Sequence, residues 1–393
     1  MKHPWISEEE FAKLQEEIIS FASTLIQIRS ITGDEEEVAR AVAKKMEMLQ
    51  YDKVTIDDWG NVVGEIGDAE ECILFDAHMD TVDVPKQEQW DHGPFSGERT
   101  SEAIYGRGAV DMKSALAAIV YVGYVVKKWK IAPGKKVVVS ATVMEEDYDG
   151  LALDHVLRSM AKKPSYVIIC EPSNLKIAVG HRGRSMLLVS STGVSAHGSM
   201  PETGVNAIYR LAPVLPRVEE WQQSLSHKPG RKGSVALTRI ESTSASLNAV
   251  PDFCCLYLDR RTVLGEDEAK IAEEMERLLQ GLSASWQVEE RKAITWSGAD
   301  VHSHTFFPAW EMEREHALVQ AAVRNHQRIL GAEPEIITWD FSTNGVASCG
   351  IHHIPTIGLG PGDPSLAHRK NEHCLLSQIQ DAFCWYVGLL MEL

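Results

Sequence analysis

Apolar residues recur at helical spacing over the first part of the chain. The first such series consists of Leu14, Ile18, Phe21, Leu25 and Ile28. Intervals of three and four residues are typical of an amphipathic helix, and Ser7 with Glu10 three residues later has the pattern of a capping box at its start. Thr32 and Glu35 repeat that pattern, which predicts a second capped helix over 38–49.

Short, uninterrupted apolar runs follow, and such runs are typical of strands that are buried on both faces of a sheet. The predicted strands are 53–57, 62–66, 72–77, 137–144, 166–170, 335–339 and 354–359, and the predicted helices are 113–126, 154–161, 313–330 and 371–391. The alternation of strands with helices predicts an α/β domain with a mixed, largely parallel sheet and helices on both faces.

The order of the elements changes near Gly180. From there the pattern predicts strand 181–192, helix 204–224, strands 234–241 and 252–261, helix 266–281 and strand 286–294. The order β-α-β-β-α-β is that of a ferredoxin-like α+β domain. We therefore predict one α/β domain, made of residues 1–180 and 297–393, that is interrupted by a small inserted domain over 181–296.

Acidic residues and histidines follow directly after several of the buried strands. They are His78 and Asp80 after 72–77, Glu145 and Glu146 after 137–144, Glu171 after 166–170, and His368 a few residues beyond 354–359, with Asp111 just before the helix over 113–126. In open α/β sheets, ligands bind outside the carboxyl ends of the strands. The pattern therefore predicts that these side chains meet at one edge of one sheet.

Several carboxylates are costly to bury together unless a cation compensates their charge. Two histidines among carboxylates suit Zn²⁺, with Co²⁺ or Mn²⁺ as alternatives. A bridging aspartate between two halves, each with a histidine and a carboxylate, makes a centre in which two metal ions lie roughly 3.5–4 Å apart and activate a water. The residues thus predict a site for two divalent metal ions.

Composition narrows the class of protein further. The 393 residues include 39 lysines and arginines against 56 aspartates and glutamates, so the formal net charge is −17. This acidic surplus argues against a nucleic-acid-binding protein and against a protein of anionic membrane surfaces.

The longest apolar stretch, 115–126, is shorter than the roughly 20 residues that span a bilayer. Seven cysteines without a CxxC pair and a polar N-terminus predict a cytoplasmic location.

The motifs together resemble a family of di-zinc deacylases and peptidases. They are HMD at 78–80, GRGAVDMK at 106–113, the pair at 145–146, CEPS at 170–173, AHRKNE at 367–372 and, in the inserted domain, GVSAHGSMPETGVNAI at 193–208 and NAVPDFCCLYLDRR at 248–261. The family includes acetylornithine deacetylase, succinyl-diaminopimelate desuccinylase, aminoacylase and glutamate carboxypeptidase. Within it, the chain looks most like a branch named selenium-metabolism hydrolases.

The resemblance implies which residues bind the two metal ions. His78 and Glu171 would bind one of them. Glu146 and His368 would bind the other. Asp111 would bridge the two ions, and the peptide bond that follows it, Asp111-Met112, would be cis.

The resemblance also implies two roles beside the metals. Asp80 would hold the second ring nitrogen of His78 and so fix its tautomer. Glu145 would act as general base, which takes a proton from the metal-bridging water and passes it to the leaving amine.

The inserted domain and a glycine-rich loop would supply the remaining site residues. His197 would reach the active site of a partner subunit and stabilise the oxyanion, which implies a homodimer. Asn248 and Arg261 would bind a carboxylate of the substrate, since the planar fork of arginine suits carboxylates, and Arg260 is the neighbour that could be mistaken for Arg261. Gly360 would belong to a substrate-binding loop, although a plain turn at the end of a strand explains its motif almost as well.

The function that follows is cleavage of the amide bond of a small N-acyl amino acid. A dipeptidase or carboxypeptidase of the same family is the alternative, and a non-catalytic binding relative is a remote one, because every expected position is filled. The motifs do not identify the acyl group or the amino acid.

Overall fold

The computed structural model describes residues 6–226 and 232–393, which divide into two compact units. The first unit runs up to His181 and includes Lys292–Val301 and Glu311–Leu393. The second unit consists of Arg182–Arg291 and His302–Trp310. The segment 302–310 departs from the predicted boundary at residue 297. It belongs to the second unit because its strand at Phe306–Phe307 pairs with the strand that begins at Gly183.

In chain order, the helices are α1 (Glu8–Gln27), α2 (Glu36–Met48), α3 (Lys113–Trp129), α4 (Leu151–Ser159), α5 (Ala207–Leu211), α6 (Val214–Ser226), α7 (Glu268–Leu279), α8 (Ala317–Leu330) and α9 (Leu376–Glu392). The strands are β1 (Lys53–Ile56), β2 (Val62–Ile66), β3 (Glu71–His78), β4 (Ala103–Tyr105), β5 (Lys135–Thr142), β6 (Tyr166–Ile169), β7 (Ile177–His181), β8 (Gly183–Thr192), β9 (Ser234–Thr243), β10 (Phe253–Thr262), β11 (Ser285–Val288), β12 (Glu290–Ile294), β13 (Asp300–His304), β14 (Phe306–Phe307), β15 (Trp310–Glu311), β16 (Ile336–Trp339), β17 (Thr356–Gly358) and β18 (His373–Leu375).

The first unit is built on a sheet with the order β1-β2-β5-β3-β6-β17-β7, and β16 also pairs with β7. Its central strands β5, β3, β6 and β17 are parallel to one another, whereas the outer pairs β1–β2, β2–β5 and β17–β7 are antiparallel. β3 is buried without interruption from Cys72 to His78. Because successive side chains point to opposite faces, both faces of this strand are covered. The predicted mixed, largely parallel α/β architecture is confirmed.

The second unit has the sheet order β11-β8-β10-β9, and all of its neighbouring strands are antiparallel. The helices α5, α6 and α7 lie between these strands in the chain, so the order of elements is the predicted ferredoxin-like one. The predicted helix over 204–224 is divided into α5 and α6 at Pro213, which has no N–H to continue the helical hydrogen bonds. The core between sheet and helices includes Leu187, Val189, Leu256, Leu258, Ile271 and Met275.

The predicted cap of the first helix by Ser7 is confirmed, whereas the second predicted capping box is wrong. Ser7 caps α1 and accepts the N–H of Glu10. In contrast, α2 has no side-chain cap. The Thr32 hydroxyl donates to Asp80, and Glu35 accepts the N–H of Met144. Both side chains therefore bind to distant segments instead of the helix that follows them.

The last helix is also shorter than predicted. Residues 373–375 form β18, which pairs with β4 and places His373 opposite Tyr105. α9 therefore begins at Leu376 instead of residue 371. Within the described ranges, we find no helix that is both long and apolar enough to cross a membrane.

Two neighbouring arginines of β10 have different environments. Arg260 is fully buried, donates through Nε and Nη2 to both carboxylate oxygens of Glu274 at 3.1 Å, and also reaches Glu266 at 3.0 Å. Arg261 leaves a quarter of its side chain exposed and donates to Asp259 at 2.7 and 3.0 Å. Strand alternation thus separates a structural arginine from the one that the family resemblance assigns to substrate binding.

We expect Arg260→Met to destabilise the second unit by about 3–5 kcal/mol, because it leaves the buried Glu274 and the partly buried Glu266 without their partner. Arg261→Met is the matched control and should cost less than about 1 kcal/mol, since its pair is partly solvated. Amide hydrogen exchange of β10 peptides measures both losses. Equal destabilisation by the two substitutions would contradict the assignment.

Candidate active site

Four parallel strands end at one edge of the larger sheet, and predicted site residues follow these ends. The strands β5, β3, β6 and β17 are neighbours in this order. Their register pairs His78, the last residue of β3, with Thr142 of β5, three residues before Glu145. Glu171 follows the end of β6 by two residues. The polar side chains therefore collect at the carboxyl edge, as the sequence predicts.

Asp111 lies at the centre of this cluster and turns one oxygen toward each of two histidines. Its Oδ1 lies 3.0 Å from His78 Nε2, and its Oδ2 lies 3.3 Å from His368 Nε2. Glu171 Oε1 lies 3.6 Å from the same nitrogen of His78. Glu146 Oε2 lies 3.0 Å from His368 Nε2. The structure thus brings together two half-sites, each with one histidine, one glutamate and one oxygen of Asp111. The peptide bond after Asp111 is cis, as predicted.

Burial strongly affects the protonation of these groups. Burial, followed by the charge of neighbouring carboxylates, raises the pKa of Glu145, Glu146 and Glu171. Hydrogen bonds to Asp111 and Glu146 raise the pKa of His368 to about 10. These shifts favour the protonated forms of the clustered carboxylates and the charged form of the His368 imidazole.

Divalent metal ions are another way to compensate the negative charge of these carboxylates. Ligand atoms of His78, Asp111 and Glu146 lie within 4.8 Å of one another, and so do those of His78, Glu145 and Glu171. Imidazole nitrogens and carboxylate oxygens at such spacing are typical ligands of Zn²⁺, Co²⁺ and Mn²⁺. The two groups share His78, and their donor atoms fit divalent metal ions. His368, with half of its side chain exposed, adds a nitrogen beside Asp111 and Glu146.

The turn that carries Glu145 and Glu146 is held by side chains from other segments. The four successive N–H groups of residues 143–146 donate in turn to Asn61 Oδ1 at 3.0 Å, Glu35 Oε1 at 3.1 Å, Asp80 Oδ1 at 3.0 Å and Asp80 Oδ2 at 3.2 Å. Met144 adopts a left-handed φ of 60°, which turns the chain after β5. The two adjacent glutamates can therefore take different directions, as their different predicted roles require.

Asp80 contacts His78 mainly through its main chain. His78 Nδ1 lies 2.9 Å from the Asp80 carbonyl oxygen and 3.5 Å from its carboxylate. The carboxylate accepts instead from the 145–146 turn and from the Thr32 hydroxyl at 2.9 Å. Asp80 thus orients His78 by its backbone, and its side chain fixes the turn that bears Glu145. A hydrogen bond between the Asp80 carboxylate and the His78 imidazole, which the resemblance implies, stays a prediction.

The residues predicted from the inserted domain belong to the second unit. His197 is exposed, its Nδ1 lies 2.7 Å from Ser199 Oγ, and its backbone pairs with Ala249. The Asn248 carbonyl accepts the N–H of Gly198 at 2.6 Å, so the loops that carry His197 and Asn248 lie side by side. Arg261 lies on β10, on the side opposite to buried Arg260. Their roles toward substrate stay predictions.

Comparison with known proteins agrees with this geometry. The sequence profile of peptidase family M20/M25/M40 matches residues 74–392. The chain belongs to this family. It is similar to the protein YgeY of Escherichia coli K12, with 34% identity over 378 residues that make up 95% of this chain and 94% of YgeY. The expected family of deacylases and peptidases is thereby confirmed, and as an M20 member the chain is a hydrolase of amide or peptide bonds.

Two further similarities, one to a deacetylase and one to a dipeptidase, correspond to the two predicted reaction types. The acetylornithine deacetylase of Edwardsiella ictaluri is 26% identical over 340 residues, which are 82% of this chain and 83% of that protein. The structure of the dipeptidase Dug1p from Saccharomyces cerevisiae covers 100% of this chain and 99% of its own, with a TM-score of 0.76 at 15% identity. This second similarity shows a shared fold.

Three hydrogen-bond acceptors around the M20 site escape the sequence patterns. The sequence around Glu35 predicts a helix cap, and the sequence around Asn61 predicts a turn. Glu372 lies in the AHRKNE motif without an assigned role. Burial, followed by the charge of Asp80, raises the pKa of Glu35 to about 8. Burial raises the pKa of Glu372 to about 7, although Arg107 opposes the shift.

Gly360 has a packing role in the structure. Its N–H donates to Ser173 Oγ at 3.0 Å, and its carbonyl accepts the N–H of Leu175 at 3.1 Å. A Cβ at this position would lie 2.3 Å from the Cys170 carbonyl oxygen and 2.4 Å from that of Glu171. The backbone groups of Gly360 are thus engaged within the protein, and a role of this residue in substrate binding stays a prediction.

We expect Gly360→Ala to lower both stability and metal content, because its methyl group displaces the segment that carries Glu171. Such overpacking costs about 1–3 kcal/mol. Gly93→Ala is the control, since the nearest atom to its Cβ would lie at 3.5 Å, which is an ordinary van der Waals contact. Thermal unfolding and elemental analysis after zinc reconstitution measure the two effects. Unchanged metal content in a destabilised Gly360→Ala protein would show that Glu171 is not displaced.

Proposed function

We propose that this M20 hydrolase cleaves the amide bond of a small N-acyl amino acid and uses two divalent metal ions. The observation that carries the proposal is the pair of half-sites around Asp111, with Glu145 beside them. The similarity to acetylornithine deacetylase supports the deacylase type of reaction.

The residues that would hold the ions follow from the half-sites. His78, Glu171 and Oδ1 of Asp111 would hold one ion. Glu146, His368 and Oδ2 of Asp111 would hold the other. Zinc suits this donor set best, and cobalt or manganese are alternatives. Bound there, such ions would lower the pKa of a water and polarise the amide carbonyl.

Glu145 suits the role of general base. Its Oε2 lies 3.9 Å from His78 Nε2, farther than the nearest oxygens of Asp111 and Glu171. The Glu145 carboxylate thus lies beside the proposed ligands, and the family resemblance assigns it the role of base. Glu145 would accept a proton from the attacking water as the new C–O bond forms. It would then deliver that proton to the amine nitrogen as the C–N bond breaks. Burial, followed by the charge of Glu171, raises the pKa of Glu145, which favours its protonated form as the donor in this step.

The second unit would supply the recognition of the substrate. Asp259 accepts from Nε and Nη2 of Arg261 and so orients the guanidinium. The outer edge of the guanidinium, formed by Nη1 and Nη2, would receive a substrate carboxylate together with Asn248. His197 would stabilise the oxyanion in the site of a partner subunit, and the protein would then be a homodimer. The exposure of His197 on its loop is consistent with this role.

A dipeptidase or carboxypeptidase is the second candidate, because the same half-sites could serve peptide hydrolysis. The shared fold with Dug1p is compatible with it.

A cytoplasmic location also fits, since all seven cysteines are free thiols and six of them are buried.

We expect the zinc-reconstituted protein to hydrolyse at least one member of a panel of N-acyl amino acids, and chelation should abolish the activity. Liquid chromatography with mass spectrometry identifies the products. Release of a carboxylic acid and one amino acid supports the deacylase. Release of two amino acids from dipeptides, with no turnover of N-acyl amino acids, would establish the second candidate instead.

We expect Glu145→Gln to keep its bound zinc but to lose about 10²–10⁴-fold in kcat, because the amide cannot accept the proton. Glu146→Gln is the matched comparison at the next position, and it should lose zinc as well as activity. Steady-state kinetics and elemental analysis separate these outcomes. If Glu145→Gln lost zinc to the same extent as Glu146→Gln, Glu145 would be a ligand and the base would lie elsewhere.

A further inference from the structure

We propose that Glu372 is a positioning residue that sets the geometry of one metal half-site, the one formed by Glu146, His368 and Oδ2 of Asp111. The inference rests on the proposed metal centre. It goes beyond it because Glu372 is not one of the proposed ligands and its carboxylate binds backbone groups and an arginine.

The Glu372 carboxylate is buried and joins three groups of one segment. It is fully inaccessible to solvent. Its Oε1 accepts the N–H of Val110 at 2.8 Å and the N–H of Asp111 at 3.1 Å. Its Oε2 accepts from Nη1 of Arg107. Two successive N–H groups that donate to one carboxylate oxygen fix the backbone from which the Asp111 side chain projects.

The main chain around Glu372 binds the same segment. The Glu372 carbonyl accepts the N–H of Gly106 at 2.9 Å. Directly after it, β18 pairs with β4, so that His373 lies opposite Tyr105. His368 precedes Glu372 by four residues. The short loop that carries His368 is therefore attached at one end to the segment that carries Asp111.

The contacts of Glu372 should affect metal binding in the two half-sites unequally. In one half-site, two of three ligands, Asp111 and His368, lie on the two segments that Glu372 joins. In the other half-site, with His78 and Glu171, only Asp111 does. Loss of the Glu372 carboxylate should therefore weaken the binding of one metal ion more than that of the other. A buried ion pair with a purely structural role would lower stability without this selectivity.

Zinc titrations of the metal-free full-length chain, in competition with a chromophoric chelator, test this inference. The variants are E372A, which removes the acceptor, and E372Q, whose amide oxygen can still accept the two N–H groups. H368A identifies the zinc equivalent that belongs to the His368 half-site. E274Q is the control, because Glu274 is a buried carboxylate paired with Arg260 in the second unit, which holds none of the proposed ligands.

We expect the wild type to bind two zinc equivalents and H368A to lose one of them. E372A should weaken that same equivalent by about 10–100-fold, the usual effect of removing a group that orients a metal ligand. E372Q should weaken it less. In the H368A background, E372A should weaken the remaining equivalent by a smaller factor, because Asp111 is its only ligand on the segments that Glu372 joins. E274Q should bind zinc as the wild type does, even where its melting temperature falls. Circular dichroism checks the fold, and E372Q carries the test if E372A does not fold.

Three results would overturn the inference. They are equal weakening of both equivalents in the Glu372 variants, unchanged zinc affinity in folded E372A or E372Q, and a loss of zinc affinity in E274Q that matches theirs. A wild type that binds less than one equivalent would instead refute the proposed metal centre, and this inference with it. The two failures are distinguishable because the second concerns the unmodified protein.

Discussion

Carboxylates that share a site with little water repel one another and lose their hydration, and this constraint shapes the first unit around Asp111. Burial and mutual repulsion raise the pKa of Glu145, Glu146 and Glu171. Their charge must be compensated by protons, by imidazolium groups or by metal ions. The two-sided contact of Asp111 with His78 and His368 creates two places where a divalent ion can provide that compensation.

Further acids hold the site together because the turns beyond the strand ends contain N–H groups that the sheet does not bind. Glu35 and Asp80 accept from the turn at 143–146, and Glu372 accepts from the segment that carries Asp111. These carboxylates bind amide N–H groups, which carry partial positive charge, and Glu372 also pairs with Arg107. Acidic residues thus have two roles in this unit. Some would bind the proposed metal ions, and others bind the backbone that positions the ligands.

The second unit separates stability from recognition at adjacent positions of one strand. Arg260 points into the core and pairs with Glu274, whereas Arg261 is partly exposed and pairs with Asp259. The alternation of side chains along β10 produces this separation without any change of residue type. Substitutions of these two arginines should therefore affect different properties, although both remove the same charge.

Local patterns in the sequence determined much of this protein. Apolar periodicity predicted the parallel strands and the ferredoxin-like unit, and motifs after the strand ends named His78, Asp111, Glu146, Glu171 and His368, which the structure brings together. Periodicity and motifs are short-range properties, so they can be recognised without tertiary contacts. They did not reveal that Glu35 binds the backbone of Met144, that Glu372 binds the N–H of Asp111, or that Gly360 packs against Cys170 and Glu171. Only the tertiary structure decided these roles. The two hydrogen bonds join residues that lie about a hundred and more than two hundred and fifty positions apart, and the packing of Gly360 depends on the close approach of two backbones. No local pattern encodes such contacts.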